Sequence, residues 1–374
     1  MEIIGIICEY NPFHNGHKYH IDKIKEMYPD SLIILALNGY FLERGEVSIL
    51  SKEDKTKIAL ENNIDIVVEL PFVFGSQSAD TFAESACIML NYLGCKKLVF
   101  GSECNDIELL TKIATIQLES NFNKKVKKNI DEGVNYPTAL NRSIGINIKS
   151  PNDLLGISYI KAILKNRLKL EPITIKRTND YHDTISNEDI ISASNIREKL
   201  KNNINVEKYT KYVDNIILPN EEIMFYLLKI KIITDHDLSK YLTVDEGIEH
   251  KILKEINNVN SIDELINKIK SKRYTYNRIR RMLIHILIGL TKEDRNKLTL
   301  EYIKVLGFNS KGQKYLKTLK CDLLVQRKIS SEYLAQDYEL KTAKVYEMLT
   351  GKNALEFEIK NKPIKNSGDL NEKR

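Results

Sequence analysis

At 374 residues, 42% hydrophobic and 29% charged, the chain can bury two ordinary globular cores, and its composition excludes a disordered or fibrous protein. A formal charge of +6 is mild for this length, so a polyanion would have to be met by locally clustered cations. The most apolar stretch, residues 282–290, is far shorter than a bilayer span, and five cysteines (Cys8, Cys87, Cys95, Cys104, Cys321) show no CxxC spacing. With no visible N-terminal signal segment, these features predict a cytoplasmic protein with no membrane contact, disulfide framework or zinc site. Cys8 reads as strand core.

In chain order, an apolar run from Ile3 to Cys8 reads as a buried strand that drops into the polar loop Glu9-Tyr10-Asn11-Pro12-Phe13-His14-Asn15-Gly16-His17. Residues 18–27 then carry helical periodicity, with Ile21, Ile24 and Met27 on one stripe. This puts His14 and His17 where a first parallel strand meets a helix start, the edge at which open α/β sheets bind ligands and free N–H groups attract phosphate. The two histidines can face one side and donate to phosphate oxygens, and Gly16 leaves room for a nucleotide to approach the backbone. A chance surface pair or half a metal site is the plainer alternative. His-x-Gly-His directly after a first strand resembles the signature of the nucleotidyltransferase superfamily, in which both histidines stabilise the triphosphate as its α-phosphate is attacked.

Further strands are expected at 31–37, 64–70, 96–100 and 168–178, with helices after Ser51 and over 79–93 between them. Residues 106–166 read as a run of helices. This β-α alternation predicts an α/β, Rossmann-like domain with a parallel sheet over residues 1–205. Residues 181–189 read as a polar, mobile segment. After it, Ile191-Ser192-Ala193-Ser194-Asn195-Ile196-Arg197 offers a capped helix: Ser192 or Ser194 supplies hydroxyl and N–H donors, and Arg197 in the first turn can hold pyrophosphate bidentately. This segment resembles the Ile-Ser-x-Ser/Thr-x-Ile-Arg motif that closes adenylyltransferase active sites. A Lys-Met-Ser-Lys-Ser-like loop, the counterpart in class I aminoacyl-tRNA synthetases, is absent.

Beyond residue 200 the texture turns helical and rich in Lys, Asn and Ile, with no further strand alternation, predicting a mainly α-helical domain over 206–360 and a polar, disordered tail over 361–374. Lys268, Lys270, Lys272, Arg273, Arg278, Arg280 and Arg281 fall within fourteen residues that hold no acid. On a helix over 276–290, Ile279, Met282, Leu283, Ile286 and Leu290 form the buried stripe, while Arg278, Arg281 and His285 lie on another face. Tyr274 and Tyr276 interleave the charges as stacking groups do on RNA-binding surfaces, so Lys272, Arg273, Arg278 and Arg281 are the candidate RNA contacts. A solvated lysine-rich surface is the alternative.

Several stretches narrow the superfamily: CEYNPFHNGH (8–17), NGYFLERGE (38–46), VELPF (68–72), QSADTFAE (77–84), SKRYT (271–275) and VLGF (305–308). Over nearly its full length the chain resembles the bacterial tRNA(Met) cytidine acetate ligase family. The resemblance implies an enzyme that adenylates acetate with ATP and passes the acetyl group to N4 of the wobble cytidine of elongator tRNA(Met). It implies His14, His17 and Arg197 as catalytic groups. ATP contacts would come from Ile7, Cys8, Glu9, Tyr10, Asn11, Pro12, Phe13, His14, Asn15, Gly16, His17, Lys18, Tyr19 and His20, with Gly101, Asn152 and Arg177, and from Ser192 and Ser194. Mg²⁺ is expected to arrive with the nucleotide, since the chain shows no carboxylate cage. One departure is Tyr40, where the family usually carries Asn in Gly-Asn-Phe. Competing readings are an adenylyltransferase for a small phosphorylated substrate and a non-catalytic RNA-binding protein; intact His14, His17 and Arg197 argue against the second, and the basic run argues against the first.

Overall fold

The computed structural model describes every residue except 135, 147, 149, 178–188, 322, 327–332, 361 and 367–374. The first half alternates as its apolar periodicity requires: β1 (Ile3–Cys8), α1 (Asn15–Met27), β2 (Leu32–Asn38), α2 (Lys52–Glu61), β3 (Ile66–Leu70), the short α3 (Phe72–Gly75), α4 (Ala79–Tyr92) and β4 (Lys97–Ser102). Helices α5 (Ile107–Leu118), α6 (Phe122–Asp131), α7 (Tyr136–Ile144) and α8 (Pro151–Lys165) lead to β5 (Glu171–Lys176) and α9 (Ala193–Lys201). The second half is mostly helical: α10 (Glu221–Thr234), α11 (Ile248–Glu255), α12 (Ile262–Ile269), α13 (Tyr276–Ile288) and α14 (Lys292–Lys297). It closes with β6 (Tyr302–Phe308), α15 (Ser310–Thr318), β7 (Leu324–Gln326), α16 (Leu334–Thr350), α17 (Ala354–Lys360) and β8 (Ile364–Lys365).

The strands form one sheet in the order β5-β4-β1-β2-β3-β6-β7, with β8 added on β6. Strands β1 to β5 are mutually parallel. All seven residues of β2 are buried, which suits an unbroken run of Leu, Ile and Ala in a parallel strand covered on both faces. One face packs Ile21 and Ile24 of α1 and Ile58 of α2 against Ile4, Ile6, Ile33 and Leu35. The other packs α4, α5 and α8 against Ile34, Ala36, Val68 and Leu98. Chain order runs outward from β1 both ways, to β2 and β3 on one side and to β4 and β5 on the other. The carboxyl ends of β1 and β4 therefore flank a topological switch point, where such sheets open a crevice.

Two sequence expectations are overturned. A strand does follow residue 200: β6 runs antiparallel to β3, with a register shift at Val67/Val68, and every residue of it is buried. Lys304 makes the run look solvent-facing, yet its ammonium is buried against Glu69 and Glu358. Residues 362–366 also belong to the fold, because Ile364 and Lys365 pair with Gly307 and Phe308. The rest of the tail, and the polar stretch 181–188, lie outside the described residues.

Candidate active site

The chain leaves β1 at Cys8, crosses the sheet edge and enters α1 at Asn15, with His14 as N-cap. His14 Nδ1 accepts the Gly16 N–H at 2.9 Å, and His17 Nδ1 accepts the His14 N–H at 3.3 Å. This is a reciprocal capping box in which imidazoles replace the usual hydroxyl and carboxylate. Because both Nδ1 atoms accept, each neutral ring carries its proton on Nε2 and has that N–H left to donate. Burial, with Arg177 and Arg197 near, pushes His14 down to about 3. Burial, then His14, His20 and Arg177, takes His17 well below the ordinary imidazole range, and His20 falls to about 4 through burial and Arg177. The rings are thus neutral donors. The glycine between them also makes room for the capping ring, since a Cβ on Gly16 would stand 2.7 Å from Cε1 of His14.

On the β4–β5 side, Gly101, next to last in β4, lies beneath the Arg177 side chain, which a Cβ would meet at 3.3 Å. Asn152, in the first turn of α8, donates from Nδ2 to Glu103 Oε1 at 2.6 Å, and Arg177 Nε lies 3.6 Å from the same oxygen. Asp153 locks that turn to the sheet edge by accepting from Ser102 Oγ, Glu103 N and Cys104 N. Glu103, which orients both groups, was missed in the sequence because it belongs to no motif.

From the third side, Ser192 caps α9 by accepting the Asn195 N–H at 3.2 Å. Ser194 Oγ instead receives Arg197 Nη2 at 3.3 Å. Arg197 donates to Asn11 O at 2.7 Å and grips both oxygens of Glu46 at 2.7 and 3.0 Å. Both Glu46 contacts come from the one nitrogen Nη2, with Nη1 on the Asn11 carbonyl, so the guanidinium already rests on an anion.

These three sides enclose one cleft of about 270 Å³. Ile7, Cys8, Glu9, Tyr10, Asn11, His14, Gly16, His17, Tyr19, His20, Gly101, Asn152, Arg177, Ser192, Ser194 and Arg197 all line it. Pro12, Phe13, Asn15 and Lys18 do not. Phe13 packs beneath the His17 ring, Asn15 ties the helix start to the carbonyls of Asp189 and Lys208, and Lys18 pairs outward with Asp22. Glu43, Arg44 and Glu46 line the cleft beside Phe82, Phe100 and Tyr159, none of which the sequence reading had given a role. Burial outweighs the neighbouring Arg281 and raises Glu43 to about 7.

The basic run approaches the same cleft. Gly45 adopts φ 75°, and a Cβ there would lie 2.6 Å from the Arg281 backbone nitrogen, so loop 43–46 rests directly on the first turns of α13. Arg281 donates to Glu43 O and Oε1, while Arg280 binds Gly45 O, Glu221 and Asp263. Arg281 therefore braces the cleft loop instead of facing solvent. His285 is likewise fully buried, within 2.8 Å of Ser76 O, and not on an outer face. Tyr274 is buried too: its hydroxyl donates to Asp245 O and its ring carries the Arg278 guanidinium at 4.3 Å, so its face is not open to a base. Arg273 is exposed, 3.5 Å from Glu246, and Lys272 reaches Gly133 O.

Among the described residues, one group of three carboxylates has metal-site spacing, Glu69, Glu339 and Glu358, but Lys52 Nζ sits 2.6–2.7 Å from each of them. An ammonium fills that position. No described helix is long and apolar enough to cross a membrane.

A profile of the HIGH Nucleotidyl Transferase family matches residues 1–361. The tRNA(Met) cytidine acetate ligase of Geobacillus sp. (strain WCH70) is 39% identical over 348 residues, 86% of each chain. The chain belongs to this family. The ligase of Ligilactobacillus salivarius is 38% identical, aligned over 97% of this chain and all of its own. A crystal structure of Thermotoga maritima TmcAL bound with alpha-thio ATP superposes with a TM-score of 0.85 at 26% identity, covering 98% of this chain and 99% of that one.

Proposed function

We infer that the protein activates acetate with ATP as acetyl-adenylate and transfers the acetyl group to N4 of the wobble cytidine of elongator tRNA(Met), giving N4-acetylcytidine. The observation that carries this reading is the pair of neutral Nε2–H donors, fixed by their own capping bonds, at the switch point of a chain matching the ligases along its length. In the first step a carboxylate oxygen of acetate attacks the α-phosphate and pyrophosphate leaves. His14 and His17 donate to the oxygens on which charge grows, and Arg197 turns its fork from Glu46 to the departing pyrophosphate. Gly101, Asn152 and Arg177 hold the nucleoside end. Magnesium would travel with the triphosphate and neutralise part of its charge; among the described residues, the one three-carboxylate group with metal-site spacing is filled by Lys52.

The exposed Lys272 and Arg273 support a division of labour. Residues 1–205 carry adenylation, and residues 206–360 hold RNA, with Lys272, Arg273 and Arg278 meeting phosphates and Arg281 acting through the cleft loop. Free cysteines and a tRNA substrate go with a cytosolic location. The test is ATP–pyrophosphate exchange with a panel of carboxylates, with and without tRNA. Exchange supported best by acetate is the expected result. Exchange indifferent to acetate but driven by a small phosphorylated substrate would make the protein a plain adenylyltransferase.

A further inference from the structure

Resting on that reading, the second step still needs a group to receive a proton. The cytosine amine is a weak nucleophile, and each proton it sheds during attack must have an acceptor within hydrogen-bond reach. Three carboxylates line the cleft: Glu9, Glu43 and Glu46. Glu46 has both oxygens on Arg197. Glu43 is held by Arg281 at Oε1 and lies 3.9 Å from Arg44 at Oε2. Glu9 differs. Its Oε1 is fixed by two N–H donors, Asn38 Nδ2 at 2.9 Å and Glu43 N at 2.7 Å. Its Oε2 takes no hydrogen bond or ion pair among the described residues, although the side chain lines the cleft.

A pinned carboxylate with one open oxygen is an odd fixture for a site that takes two anions, because it repels both ATP and acetate. Its position resolves this. The groups suited to the nucleotide lie around β4 and β5 (Gly101, Asn152, Arg177) and at the start of α1. Glu9 leans the other way, towards Asn38 at the end of β2 and the loop that α13 braces through Arg281. That is the side from which RNA lying on α13 would deliver a base, and carboxylates are the side chains that accept from the cytosine N4 amine.

We propose that Glu9 is a catalytic residue of the transfer step, its Oε2 accepting a hydrogen bond from the cytosine amine and then its proton. The N4 lone pair forms a bond to the acetyl carbonyl carbon, and the bond from that carbon to the adenylate oxygen breaks. The electron pair leaves on AMP, one N4 proton passes to Glu9, and Glu9 returns it to solvent.

The test supplies chemically prepared acetyl-adenylate and tRNA, both saturating, to the full-length protein and follows a single turnover. Glu9→Gln preserves shape and both Oε1 hydrogen bonds but cannot take a proton; Glu9→Asp keeps a base on a shorter arm. The expected order is wild type, then Glu9→Asp, then Glu9→Gln, with the glutamine variant slower than wild type by roughly 10²–10⁴. A purely structural Glu9 gives the opposite order of the two variants and overturns the proposal. So does a glutamine variant restored by raising Mg²⁺ alone, which would make Glu9 a magnesium ligand. Wild type inert towards supplied acetyl-adenylate would instead remove the reading of function on which the proposal rests.

Discussion

His14 has two tasks that can be separated, capping α1 through Nδ1 and presenting Nε2–H to the cleft. Asparagine caps helices well but has no second donor in that place. His14→Asn should therefore melt within about 1 kcal/mol of wild type, while acetate-dependent exchange falls by roughly 10²–10³. Exchange near wild type in a folded variant would remove His14 from the chemistry. The same ring makes a pH prediction. Its folded value lies near 3, below the ordinary 6.5, so protonation favours the unfolded chain. Its contribution to stability is complete above pH 6.5 and is lost as pH falls towards 3, by up to ~1.4 kcal/mol per pH unit. Glu43, raised from 4.5 to about 7, works in the opposite sense over that interval, contributing stability that is lost as pH rises through 7. The test is consequently a difference: His14→Asn should flatten the acid limb of the stability curve of unliganded protein. At this scale the motif residues were legible because their geometry is local, three residues apart on one helix start. The partners of Arg197 were not, since Asn11 and Glu46 are brought in from elsewhere in the chain.

The element that most needed the structure is α13. Fourteen residues without an acid looked like one open basic surface, but Arg280 and Arg281 meet Glu221, Asp263 and Glu43, all distant in sequence except Asp263. Cations in the same run therefore fall into two groups with different expected phenotypes. Lys272→Ala with Arg273→Ala should leave melting unchanged and make the slope of log tRNA affinity against log salt shallower by about one per lost phosphate contact. Arg281→Ala should lower stability by about 1.5–3 kcal/mol, because it strips Glu43 of its partner in a partly buried loop, and should leave the salt slope alone. A salt-slope change for Arg281→Ala matching that of the exposed pair would show that it meets phosphate directly. The apolar stripe of α13, by contrast, could be read in advance, since Ile279, Met282, Leu283 and Ile286 are all buried at the expected spacing, whereas the helix stops at Ile288 and Leu290 is buried beyond its Gly289 cap.

At the scale of the molecule, a buried ionic cluster ties the end of the chain to its beginning. Lys52 of α2 and Lys304 of β6 share Glu69 of β3 and Glu358 of α17, and Lys52 also holds Glu339 of α16. Tyr40 joins them, donating to Glu358 at 3.0 Å with Lys52 Nζ 4.6 Å from its ring, which gives the departure at that position a structural reason. Three carboxylates face two ammonium groups; burial pushes Glu339 up, while against burial Lys304 and Lys52 hold Glu358 down. Lys52→Met should destabilise the protein by about 3–5 kcal/mol by leaving carboxylates uncompensated, and a chain ending at residue 300 should not fold as a separate catalytic unit. Strands β1 to β4 were legible from their apolar runs, and β5 from Ile173 and Ile175 alternating with polar neighbours. β6 was not, because a lysine that is paired inside the protein looks, in sequence, like one that faces water. The central claim is chemical, and the product tests it most directly: digest elongator tRNA(Met) to nucleosides after incubation with the protein, ATP and labelled acetate. The label should appear as N4-acetylcytidine, depend on ATP, and vanish from tRNA whose wobble cytidine is replaced by uridine. Adenylate turnover with no label in cytidine would contradict the account.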